Sequence, residues 1–157
     1  MEQVAPILLS EIICDRVIFD RITGMPSIIN IIQNINAAQY PVRHNQIIFF
    51  CELTNGHGNT KLKIRLVDIE NQDRVLIEQS QVVDFKDVKQ IVTLAINLMG
   101  VVFHHTGEYR FQLFANDTLL GERSLICRQI AMPPSGPASI GPMPPGPAPV
   151  NPPENPL

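Results

Sequence analysis

GEYRFQLFANDTLLGE, residues 107–122, decides the fold class of this chain. Tyr109, Phe111 and Leu113 alternate with Glu108, Arg110 and Gln112, the two-residue period of a strand with one buried face. Asn116-Asp117 then reads as a two-residue hairpin turn, because both residue types tolerate the left-handed backbone that a type I′ turn demands. Leu119, Leu120 and Leu125 return on the other side. The signal is architectural and carries no chemistry of its own.

Outward from this hairpin the same grammar repeats. Approximate strands are expected at 7–20, 27–35, 46–54, 60–70, 74–84, 90–98, 107–115 and 118–128, with no stretch showing a 3.6-residue period. Leu62, Ile64 and Leu66 alternate with Lys61, Lys63 and Arg65, and Val92, Leu94, Ile96 and Leu98 with Thr93, Ala95 and Asn97. Thr23-Gly24-Met25-Pro26, Asn55-Gly56-His57-Gly58 and Asn71-Gln72-Asp73 are expected to close three further hairpins. Cys14-Asp15-Arg16, inside the long first run, is expected to mark a bulge or a bend where that strand passes between sheets. About eight short strands with polar turns predict an all-β fold, an antiparallel β-sandwich of immunoglobulin-like or related Greek-key topology; a partly open barrel is the alternative.

Length and composition bound the rest. At 157 residues the chain is of single-domain size, and its end differs from the remainder: 11 of the 14 prolines lie from Pro133 onward, where Glu154 is the only ionisable side chain. The expected division is a β-sandwich domain over 1–131 and a disordered proline-rich tail over 132–157. Gly-Pro recurs at Gly136, Gly141 and Gly146, a spacing of five that excludes a collagen triple helix. Pro144-Pro145-Gly146-Pro147 has the spacing of a proline-recognition ligand but no flanking basic residue, so a passive solubilising tail is the favoured reading. A net charge of −3, or −2 without Glu154, gives no reason to favour nucleic acid or an anionic membrane. Glu2 stands where a secretory signal would carry a base, no run of 18 apolar residues exists, and three widely spaced cysteines, Cys14, Cys51 and Cys127, read as reduced core side chains; a cytoplasmic protein is expected.

No motif rises to a catalytic, cofactor or metal signature, and no site residue is assigned to any of the three. His44, His57, His104 and His105 lack zinc spacing, and adjacent histidines on a strand point to opposite faces, so loop histidines with no ligand role are expected. There is no GxSxG elbow. Asn55-Gly56-His57-Gly58-Asn59 is followed by a strand, where a phosphate cradle needs a helix. Asp15, Asp20, Asp68, Glu70 and Asp84 read as solvated strand ends. The anomaly is surplus apolar sequence: Ile28-Ile29-Asn30-Ile31-Ile32, 47–51 and 98–103 are apolar at both parities, with Gly100 as a break in the last. Uncovered, they would form a patch that a monomer rarely exposes. The expectation is therefore a non-enzymatic module acting through protein contacts, as a homodimer or with a protein partner through a sheet face or edge. A small-ligand or glycan-binding module is the alternative, weakened by the lack of tryptophan and by only two tyrosines, Tyr40 and Tyr109. A metal-dependent hydrolase ranks third.

Glu11 to Val17 (EIICDRV), Gly24 to Ile29 (GMPSII), Glu52 to Gly58 (ELTNGHG) and Gly107 to Phe111 (GEYRF) with Leu120-Gly121-Glu122 resemble a group of small bacterial proteins classed as a domain of unknown function. The likeness spans about residues 7–128 and implies a compact, cytosolic β-sandwich. It brings no activity, ligand or catalytic residue with it.

Overall fold

The 107–122 hairpin is the centre of the second of two stacked sheets. In the computed structural model, which describes residues 4–132, the strands are β1 (Ile7–Phe19), β2 (Pro26–Ile31), β3 (Asn34–Ala37), β4 (Val42–Thr54), β5 (Gly58–Asp68), β6 (Arg74–Phe85), β7 (Val92–Phe103), β8 (Gly107–Ala115) and β9 (Thr118–Gln129), with a 3-10 turn at Ile69–Asn71. The first sheet runs β2-β1-β4-β7 and the second β3-β9-β8-β5-β6. Asn116 and Asp117 both take positive φ, 43° and 66°, as the turn requires. Tyr109, Phe111 and Leu113 are fully buried, as are Leu62, Ile64 and Leu66 to within 1%. Ring contacts knit the layers: Phe49 meets Phe111 at 5.9 Å between centroids, and Phe103 meets Tyr109 edge-on at 5.0 Å. The three cysteines are free and buried. The expected tail boundary lies at the edge of the described residues, and the tail itself lies outside them.

Four expectations are corrected. The run expected over 27–35 is two strands: β2 pairs with β1 in the first sheet, whereas β3 pairs with β9 in the second, in parallel, giving nine strands and one parallel pair among the described residues of an otherwise antiparallel sandwich. Ile32 and Ile35 are both buried, and an odd spacing of three cannot keep one strand's face inward. The chain solves this by changing sheets between them, with Asn30 at φ 54° and the Ile32 N–H donating to the Ile13 carbonyl at 2.7 Å. The sheet change is therefore not in β1. Cys14-Asp15-Arg16 keeps its register with β2, and the irregularity in β1 falls between Leu8 and Ser10.

Asn55-Gly56-His57-Gly58 closes no hairpin, because β4 and β5 belong to different sheets; it is the crossing between layers. Gly56 makes the crossing feasible, since a Cβ there would lie 2.3 Å from ring atoms of the buried Phe85. Finally, β7 continues past 98 to Phe103. Leu98 and Val101 are both buried although three apart, and Met99 between them is exposed, so the strand changes its inward face at Gly100, where φ is 64°. Its partner changes face with it, for Ile47 is buried and Val42, five residues away, also packs on the core while the β4–β7 register stays unbroken. β1 does not follow: its pairing with β4 ends at Cys14 and Ile48, and Arg16 to Phe19 pair only with β2.

Candidate functional site

The divergence of β1 from β4 leaves the β1–β2 hairpin projecting from the sandwich, and its tip is built to hold shape. The Asp20 carboxylate accepts hydrogen bonds from the Ile22 N–H at 2.9 Å, the Thr23 N–H at 2.7 Å and the Thr23 hydroxyl at 3.0 Å. These bonds also hold the Asp20 carboxyl below its usual pKa, the Thr23 backbone bond contributing most. Around this turn the surface is apolar: Ile22 is 94% exposed and Met25 68%, and Ile18 and Phe19 are each about half exposed. Cross-strand register puts Ile18, Ile29 and Ile31 on one face, the outer face of the first sheet, which continues through Cys14, Ile48 and Phe50 to the exposed Met99. Of the three apolar runs in the sequence, 98–103 is explained by the face change at Gly100 and 47–51 is buried on both sides. In 28–32 Ile29 and Ile31 stay exposed. On the same face Cys14, Ile48 and Phe50 are buried, so the exposed apolar part of it is that of the hairpin, with Met99 apart.

Where the hairpin leaves, a cleft of about 480 Å³ opens between β1–β2, β3 and the start of β4. Its polar rim is four carboxamides, Asn30, Gln33, Asn34 and Asn36, together with Asp15 and His44, whose Nε2 lies 3.5 Å from Asp15 Oδ1. Asn30 is the left-handed residue of β2, so the irregular backbone and the cleft coincide.

The histidines do not converge. His57 is exposed in the β4–β5 crossing, His44 lines the cleft, and His104 and His105 lie in the turn between β7 and β8. Among the described residues no group of three or more His, Cys, Asp or Glu side chains could hold a metal ion. One pairing was not legible in the sequence: His105 Nε2 is 2.6 Å from Asp68 Oδ2. Asp68 is only 1% exposed, which corrects its reading as a solvated strand end. Glu11 is the other missed group. It lies on the seam between β1 and β9 beside Gly121 and Arg123, with Oε1 buried and unpartnered, and burial pushes its carboxyl up to about 7 against the pull of Arg123. Burial likewise raises the thiols, Cys51 to about 12 and Cys127 to about 11, far from the thiolate that nucleophilic chemistry requires. No helix among the described residues is long and apolar enough to cross a membrane.

Residues 9–128 match the model of a family described as Family of unknown function (DUF6941). No curated protein matches the chain.

Proposed function

The chain belongs to that family of unknown function, and on this premise we propose that it is a non-enzymatic docking module, engaging a protein partner through the β1–β2 hairpin and the adjoining outer face of the first sheet. The observation that carries the reading is the concentration of exposed Ile18, Phe19, Ile22, Met25, Ile29 and Ile31 on one hairpin whose turn is already fixed by Asp20. A backbone already held in shape loses little freedom on binding, which is what a docking surface needs. The opposite sheet supplies the contrast, for its outer face carries Lys63, Arg65, Arg110 and Glu122 in ion pairs.

We read the connectivity as immunoglobulin-like. The Tyr109 hydroxyl donates to the His105 carbonyl four residues upstream at 3.0 Å, as in the tyrosine corner of such sandwiches, and a short strand pairs in parallel with the last one. Three unpaired thiols fit a reducing, cytoplasmic setting.

Affinity purification from the native host tests the proposal, comparing the full chain with the double variant Ile22→Ser, Met25→Ser and with a control altered at Lys63. Partner loss confined to the hairpin variant supports it; partners retained by that variant refute it. Light scattering after gel filtration separates self-association from a foreign partner, and a chain lacking 133–157 separates the hairpin from the tail.

The carboxamide-rimmed cleft favours a second reading, a small-ligand site, since its volume falls in the range of such pockets. It has no aromatic platform for sugar stacking, and binding on a glycan array, abolished by Asp15→Ala, would establish it.

A further inference from the structure

His105 is held between a carboxyl and a carbonyl oxygen. Its Nε2 lies 2.6 Å from the Asp68 carboxylate and its Nδ1 2.6 Å from the Thr106 carbonyl oxygen. The carbonyl oxygen has no hydrogen to give and neither has an ionised carboxylate, so against an ionised Asp68 each contact requires an N–H on the ring, and a neutral imidazole has only one. With Asp68 ionised, the geometry is that of an imidazolium. Asp68 depends on the same proton: it is 1% exposed, its Oδ1 is buried with no partner, and among the described residues its ion pair is to His105. A buried carboxylate that loses its counter-charge is strongly disfavoured.

We propose that Asp68 and His105 form a proton-operated latch between β5 and the β7–β8 turn, closed while the imidazole carries two protons and released when it loses one. The charged groups around the ring act in the same sense. Glu70 of the 3-10 turn brings Oε2 to 4.0 Å from Nδ1. From β8 the neutral Tyr109 lays its ring beside the imidazole, 5.5 Å between centroids, and its hydroxyl donates to the His105 carbonyl. In β9 the Cys127 thiol is uncharged, and His104 next in the chain is exposed to solvent. Among the described residues two carboxylates and no fixed cation face the ring. The His105 pKa is accordingly raised above the ordinary histidine value, by the Thr106 bond first and Asp68 second, against desolvation. Gly107 completes the seat, because a Cβ there would lie 2.4 Å from Glu70 Oε1.

The sign follows from linkage. A base whose pKa is higher in the closed state is fully stabilising below its open-state value of about 6.5. Above that value the opening constant climbs about tenfold per pH unit until the closed-state pKa, then levels off. Release frees the turn that borders a shallow cleft lined by Tyr40, His104, His105, Thr106 and Gln129, at the end of the sandwich from which the chain leaves β9.

Nuclear magnetic resonance of the full-length chain tests the latch. Both ring nitrogens of His105 are expected to be protonated at pH 6, with a titration midpoint above about 6.5. Amide protection at residues 104–107, corrected for intrinsic exchange, is expected to fall about tenfold per pH unit from there to the midpoint while Ile64 and Phe111 hold theirs. Asp68→Asn is expected to lower the midpoint, and His105→Gln to leave protection at 104–107 low and independent of pH. A midpoint at or below 6.5, a singly protonated ring at pH 6, flat protection across the window, or a midpoint indifferent to Asp68→Asn would each overturn the proposal. The wild-type readings decide it even if a variant fails to fold.

Discussion

Glu11 shows how a single side chain can carry a cost that its position in the sequence conceals. It is paired in register with Cys51, on the inward side of β1, and the Arg123 guanidinium beside it donates to the Glu11 backbone carbonyl at 3.2 Å. An acid whose folded pKa is raised, here from 4.5 to about 7, binds its proton more tightly in the folded chain. The stability it contributes is therefore greatest below 4.5, declines as pH rises toward 7, and stays low beyond. Glu11→Gln is expected to stabilise the chain by roughly 1 kcal/mol at pH 8, discounted for the carboxyl's partial solvent access, with the advantage vanishing near pH 4. Urea unfolding of both chains at the two pH values checks this. Nothing in the local sequence marks Glu11 as inward-facing, because the irregularity between Leu8 and Ser10 resets the alternation just before it. His105 and Asp68 were hidden for a different reason: 37 residues separate them, and only the stacking of β5 beside β8 brings them together.

At the scale of elements, alternation was legible wherever a strand keeps one face inward, as β5 and β8 do. It failed where a strand changes face or sheet. Odd spacings of buried residues, Ile32 to Ile35 and Leu98 to Val101, are the signature of both events, and in sequence alone they look like surplus apolar surface. Turn chemistry has the same blind spot: Asn55 to Gly58 carries turn residues, yet whether a turn returns to its own sheet or crosses to the other is fixed by what lies beneath it. Gly56→Ala should force the Phe85 ring out of its buried position and destabilise by about 2 kcal/mol, read as a lower urea midpoint with an unchanged slope. The projecting hairpin should behave in the opposite way. Ile22→Ser with Met25→Ser touches no core residue and is expected to alter stability by less than about 0.5 kcal/mol, so any loss of partner binding would report the surface itself.

For the whole molecule, the core cluster and the side chains packed on it run from Leu8 to Cys127. On its proline-rich, almost uncharged composition, the segment 133–157 is expected to add little to the fold, so its removal is expected to shift the thermal midpoint by less than about 2 °C, measured by circular dichroism on both chains. The parallel pairing of Asn34–Ala37 with Ile126–Gln129 has a consequence for synthesis on the ribosome. The third strand made must wait for the ninth before its backbone finds a partner, so the sandwich closes only when nearly the entire domain has left the exit tunnel. Until then the greasy opening hairpin, whose two strands are neighbours in sequence, is already outside and available to whatever meets the nascent chain first.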